Sequence, residues 1–140
     1  MSLRLDDQLC FSLYAASRVP TAAYAPLGLT YPQYLVMLVL WEDDGVPVER
    51  IGERLALDSG TLTPLLERLE AQGLVTRRRS AEDERVVEVH LTTDGERLEQ
   101  RARSVPERRV CRLGLPLGDA ARLRAELGAV AAACKGSAAR

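Results

Sequence analysis

The hydrophobic period of this chain changes at Gly73, and that change limits its fold more than any other feature. Ahead of it, Leu62, Leu65, Leu66 and Leu69 recur at i, i+3, i+4 and i+7, the stripe of a helix with one buried face, which Gly73 stops. Beyond it, residues 74–79 and 86–91 are strand-like, with Val87, Val89 and Leu91 alternating. A charged tip, Ser80-Ala81-Glu82-Asp83-Glu84-Arg85, separates the two runs. Upstream, Val48, Ile51 and Leu55 share one face of a short helix that Leu57 and Asp58 break.

Short helix, tight turn, helix, hairpin is the order of a winged helix-turn-helix. The expected fold class is mainly α with a small β-hairpin: a winged helix-turn-helix over residues 46–92, within a single domain spanning 1–140. Flanking helices are expected at 5–26 and 96–134. Residues 5–24 carry Leu9, Leu13 and Ala16 at helical spacing, and Pro20 should end or kink that segment. Thr30 with Gln33 fits a capping box, with Pro32 in the first turn. The run 34–41 is nearly all apolar and should be buried around most of its circumference. Thr93 with Glu96 fits a second capping box, and 119–134 is a final helix rich in Ala and Leu. Pro64 fits two registers: it is a first-turn proline if Thr61 caps the helix, and lies deep inside it if Asp58 does.

The second helix of such a module enters a major groove and the hairpin reaches an adjacent minor groove. Opposite the leucine stripe lie Ser59, Gly60, Thr61, Thr63, Pro64 and Arg68. They are small residues that permit close approach, hydroxyls that can bond phosphate or base edges, and a cation. Arg77, Arg78 and Arg79 stand at the base of the hairpin and Arg85 at its tip. The same arginines can instead solvate a strand edge. Bulk charge gives no help, because 19 basic and 20 acidic side chains leave a net charge of −1. A positive face must come from segregation, with Glu49, Glu53 and Glu70 pointing elsewhere. Aromatics are only 4% of the chain, too few for a platform that stacks single-stranded bases.

Cys10, Cys111 and Cys134 include no C-x-x-C pair, and His90 is the only histidine, which disfavours a structural zinc site. No metal, cofactor or membrane-spanning segment is expected, and unpaired thiols suit the reducing cytoplasm. A cysteine on a helix face is usually packing. The company of Cys10 favours chemistry instead: Tyr14, Tyr24, Tyr31 and Tyr34, all the tyrosines of the chain, follow it closely. Their hydroxyls can donate to a thiolate without adding charge. A free thiol, with a pKa of about 8.5, is only slightly ionised at neutral pH. Tyr14 and Tyr34 also suit simple core packing.

Asp83-x-Arg85-x-x-x-Val89-x-Leu91-Thr92, followed by Gly95, resembles the wing signature of the MarR family of dimeric bacterial regulators. Gln8-Leu9-Cys10-Phe11, Thr30-Tyr31-Pro32-Gln33-Tyr34-Leu35 and the run from Leu57 to Leu65 resemble its organic-hydroperoxide-sensing branch, OhrR. The resemblance covers residues 5–100. It implies a homodimeric repressor of a near-palindromic double-stranded DNA operator, not an enzyme, with an organic hydroperoxide as oxidant. The wing Asp83 would hold Arg85 for the minor groove. Cys10 would be the peroxidatic thiol, bonded by the partner subunit's Tyr24 and Tyr31, and Cys111 the candidate resolving thiol. Cys134 falls outside any motif. The turn 25–29 is about four residues shorter than usual in the family. Competing expectations are a MarR-type regulator of small phenolic ligands, a thiol peroxidase, and a winged-helix protein-interaction module.

Overall fold

A computed structural model describes residues 4–5, 8–18, 24–105 and 114–137. The chain divides into two units, residues 1–100 and 101–140. In the first, α1 is Leu9–Ser17, shorter than the sequence pattern suggests. It buries none of its residues, and Leu9 and Tyr14 are well exposed. Tyr14 is therefore not core packing within its own chain. A 3-10 turn, Ala25–Leu27, ends at Gly28, whose φ of 70° is the left-handed value that glycine adopts without strain.

Helix α2, Tyr31–Glu42, opens with the expected capping box: Gln33 N–H donates to Thr30 Oγ1, and Thr30 N–H donates to Gln33 Oε1. Its apolar run is buried as the pattern requires, with Val36, Met37 and Leu40 at the centre of the core. Val46–Pro47, β1, leads into α3, Val48–Leu55, and then α4, Ser59–Ala71. The turn after α3 folds closely back on that helix: a Cβ on Gly52 would sit 2.9 Å from the Leu57 carbonyl oxygen and 3.5 Å from Leu62 Cδ2 of α4. Strands β2, Val75–Arg79, and β3, Val87–Leu91, form the expected hairpin, pairing Val75 with Leu91 through Arg79 with Val87. β1 adds a third antiparallel strand on the other side of β3, giving the order β1-β3-β2.

The leucine stripe of α4 closes on α2 and the sheet. Leu62, Leu66, Leu69, Ile51, Val75 and Val89 are all essentially inaccessible. Each such aliphatic side chain stabilises the fold by roughly 1.5–3 kcal/mol through burial alone. Helix α5, Thr93–Ala102, begins one residue away from the expected register. Thr92, not Thr93, sits at the cap position: its hydroxyl accepts from Gly95 N–H and donates to the Gly73 carbonyl. The side chain thus joins the start of α5 to the turn after α4. In the second unit, α6 is Leu117–Ser137, and Leu123, Leu127 and Val130 form an exposed apolar stripe along it.

Candidate nucleic-acid interface and thiol site

Asp58 settles the register of α4. Its Oδ1 accepts from Thr61 N–H at 2.8 Å, so Asp58 is the N-cap and Pro64 lies inside the helix. Pro64 has no N–H to offer the Gly60 carbonyl, which sits in the exposed first turn where water can serve it. Ser59, Gly60, Thr61, Thr63, Pro64 and Arg68 are all exposed, on the side away from the buried leucines. The leading end of α4 therefore presents small groups and hydroxyls to solvent, as the residue pattern requires.

The wing is held by its own side chains. Ser80 N–H donates to the Val86 carbonyl and closes the loop. Asp83 accepts from Arg85 Nε at 3.1 Å and Nη2 at 3.0 Å, and from the Arg85 backbone N–H at 3.0 Å. These bonds lower the Asp83 pKa, and Asp83 in turn raises that of Arg85. The arginine side chain nevertheless remains 90% exposed. Arg79 Nη1 donates to the Glu84 carbonyl at 2.8 Å, tying the strand to the loop.

The three-arginine run is not uniform. Arg77 Nε and Nη2 donate to Glu70 Oε2 at 3.0 and 2.9 Å, and Arg77 N–H donates to Glu70 Oε1 at 3.2 Å. These bonds to the guanidinium and the amide hold the Glu70 carboxyl below its ordinary pKa. The expectation that Glu70 points away from the basic cluster is corrected: it lies on Arg77. Sequence reasoning missed this pairing because it joins a helix to a strand by tertiary contact. Arg68 and Arg78 are exposed, and neither side chain has a partner among the described residues. Glu49 and Glu53 are exposed on α3.

Cys10 is exposed on α1, so packing within its own chain does not account for it. The Tyr24 ring is 2% exposed and stacks on Tyr31, with centroids 5.1 Å apart. It also meets Tyr34 at 4.6 Å, and Tyr34 meets Trp41 edge-on at 6.2 Å. Trp41 Nε1 donates to the Gly95 carbonyl, anchoring this aromatic row to the start of α5. The structure brings the Tyr24 and Tyr31 rings together and places Cys10 on a separate, open helix. Cys134 is exposed on α6, and Cys111 lies outside the described residues. Among the described residues there is no cluster of histidine, cysteine and acidic groups able to hold a metal. No described helix is long and apolar enough to cross a membrane.

Residues 24–101 match the family of SarA/Rot transcriptional regulators. The chain is 54% identical over 108 residues to the organic hydroperoxide resistance transcriptional regulator of Bacillus subtilis (strain 168), covering 74% of each protein. It is 55% identical over 106 residues to the HTH-type transcriptional regulator TtmR of Methylorubrum extorquens (strain PA1). That match covers 73% of this chain but only about half, 54%, of TtmR. Among solved structures, reduced AbfR bound to DNA aligns with a TM-score of 0.65 and 41% identity, over 74% of this chain and 80% of that one. AbfR is a protein of Staphylococcus epidermidis. It has also been solved overoxidised on DNA (TM-score 0.67, 40% identity, 74% and 79% covered). A disulfide-formed AbfR aligns with a TM-score of 0.63 and 35% identity, over 91% and 93% of the two chains.

Proposed function

Because the chain belongs to the MarR family of winged-helix regulators, in its organic-hydroperoxide branch, we propose that it is a homodimeric DNA-binding repressor that Cys10 oxidation releases from its operator. The observation that carries the DNA-binding half is the exposed Arg85 held by Asp83, together with the open face of α4. The face provides Ser59, Gly60, Thr61, Thr63, Pro64 and Arg68 to a major groove, with Arg78 and Arg79 flanking it. Arg85 enters a neighbouring minor groove, where negative potential favours a guanidinium. Residues 46–92 form the DNA-binding module, and the helices that lie within 5–26 and 96–134 serve dimerisation. Each unit exposes apolar groups for a second copy to cover, Leu9 in the first and Leu123, Leu127 and Val130 in the second. Two-fold symmetry then sets two α4 helices about one DNA turn apart.

The sensing half rests on a thiol that an oxidant can reach. The Cys10 thiolate attacks the terminal oxygen of a hydroperoxide. The O–O bond breaks, Cys10 becomes a sulfenic acid, and the other fragment leaves as an alcohol after taking up a proton. The sulfenic acid then condenses with a second thiol, Cys111 or a small thiol, to give a disulfide and water. Tyr24 and Tyr31 of the partner subunit stabilise the starting thiolate by donating hydrogen bonds. Loss of the anion removes those bonds and shifts the spacing of the two wings. The similarity to a Bacillus subtilis protein named for organic hydroperoxide resistance supports this reading, as does the redox series of AbfR structures.

The test is Cys10→Ser. A duplex is first selected from random-sequence DNA with the reduced wild-type protein. Fluorescence anisotropy then follows binding before and after cumene hydroperoxide. The variant should bind as tightly as wild type and stay bound after treatment. Release of DNA by oxidised Cys10→Ser would remove Cys10 from the sensing role.

A further inference from the structure

The pairing of Glu70 with Arg77 assigns roles within the Arg77–Arg79 run that composition alone leaves equal. Gly73 and its neighbours make a short turn between α4 and β2, and the Glu70 carboxylate bridges that turn. It grips both the guanidinium and the backbone amide of Arg77. The two side chains are each about one-third exposed, at 31% and 37%, so the pair stands at the protein surface. Arg79 is spent on the Glu84 carbonyl. Arg78, on the opposite face of the strand from Arg77, is exposed with no partner among the described residues.

We propose that Glu70 is a specificity-determining residue: it holds Arg77 on the protein, keeping that cation off DNA phosphates and fixing the angle between α4 and the wing. The proposal rests on the DNA-binding reading above. Contacts to phosphate strengthen binding to every sequence alike, whereas base-edge contacts distinguish one sequence from another. Retaining Arg77 internally lowers the sequence-independent part of the affinity. It also locks the reading helix and the wing into one geometry, which only a matching site satisfies. Of the three arginines, Arg77 is a strut, Arg79 a staple of the wing, and Arg78 the free cation.

Salt dependence separates these roles. Each phosphate contact adds about 0.9 to the slope of log affinity against log salt. Anisotropy titrations from about 50 to about 200 mM salt would use the wild-type-selected duplex and a random-sequence duplex of equal length. Glu70→Gln, nearly isosteric at a part-exposed site, should steepen the slope by about one contact, an extra three- to fourfold loss over that range. It should also tighten binding to the random duplex and narrow the preference for the selected one. Arg77→Gln should leave the slope unchanged, while Arg78→Gln flattens it. The double change Glu70→Gln with Arg77→Gln should return the slope to the wild-type value. Glu67→Gln removes an acid one turn away without freeing an arginine and should leave the slope near wild type. Equal flattening by Arg77→Gln and Arg78→Gln would overturn the proposal, as would equal steepening by Glu67→Gln and Glu70→Gln. Salt-independent binding, or none, by the wild type itself would instead overturn the DNA-binding reading on which it depends.

Discussion

Asp83 accepts hydrogen bonds from both the guanidinium and the backbone amide of Arg85, yet leaves that arginine 90% exposed. The carboxylate thus aims the cation without burying it. Arg85→Ala should weaken binding to a selected duplex by roughly tenfold or more, because it deletes the group proposed to enter the minor groove. Asp83→Asn keeps the cation and loses the aim, so it should cost less affinity and relax sequence preference. Anisotropy titration of both variants at one fixed salt concentration measures the two effects. An Arg85→Ala protein that binds like wild type would count against the wing as a DNA contact.

The wing and the leucine stripe were legible in the sequence because each is a local signal: a period, a stop at Gly73, a charged tip. What sequence did not convey depends on contacts between distant segments. β1 is two residues long and includes Pro47, too short to show alternation. The α5 cap falls on Thr92, whose hydroxyl also reaches the Gly73 carbonyl, a tertiary contact unseen in a sequence whose capping-box pattern selects Thr93 with Glu96. Glu70 and Arg77 sit seven positions apart across a turn, with no periodic relation to reveal them. Cys10 and Tyr14 lie on an apolar-looking helix that finds no cover within one chain.

Acid should loosen the tie between α4 and the wing. The bonds from Arg77 hold Glu70 below the ordinary carboxylate pKa, so the folded protein binds this proton less readily than the unfolded chain does. The stabilisation is therefore present in full above the unfolded-state value and lost as pH falls through the lowered folded-state value. Urea unfolding of wild type and Glu70→Gln should show a stability difference that is constant near neutrality and shrinks toward acid pH. A difference that grew on acidification would contradict the sign.

Gly95 is predicted to tolerate no side chain. A Cβ there would collide with the Leu74 carbonyl oxygen, and the Gly95 carbonyl already accepts from the Trp41 indole. Gly95→Ala must therefore push α5 away from the turn after α4 and strain the Trp41 contact. The expected loss is about 1–3 kcal/mol, seen as a lower midpoint in thermal or urea unfolding. An unchanged midpoint would mean that the turn yields freely.

Packing and the proposed bond to a thiolate can be separated at Tyr24. Its buried ring packs between Tyr31 and Tyr34, so Tyr24→Ala should cost about 3–5 kcal/mol of stability. Tyr24→Phe keeps the ring and removes only the hydroxyl. If that hydroxyl bonds the partner subunit's Cys10, the Phe variant should fold and bind DNA normally but react more slowly with cumene hydroperoxide, because less thiolate is present. Stopped-flow oxidation rates of the two proteins, compared at one pH, decide the point. Equal rates would confine Tyr24 to packing.

The fate of the sulfenic acid depends on which thiol can reach it. Cys10 and Cys134 are both exposed, so exposure alone does not select a partner. If Cys111 of the other subunit resolves Cys10, oxidation joins two chains through one new S–S bond and releases water. Non-reducing electrophoresis of peroxide-treated wild type and Cys134→Ser should then show a band at twice the monomer mass. Cys10→Ser and Cys111→Ser should each remain monomeric. Addition of glutathione to Cys111→Ser should yield a mixed disulfide on Cys10, visible by intact mass, because the sulfenic acid is then open to a small thiol. A cross-link that survives in Cys111→Ser but is lost in Cys134→Ser would move the resolving role to α6.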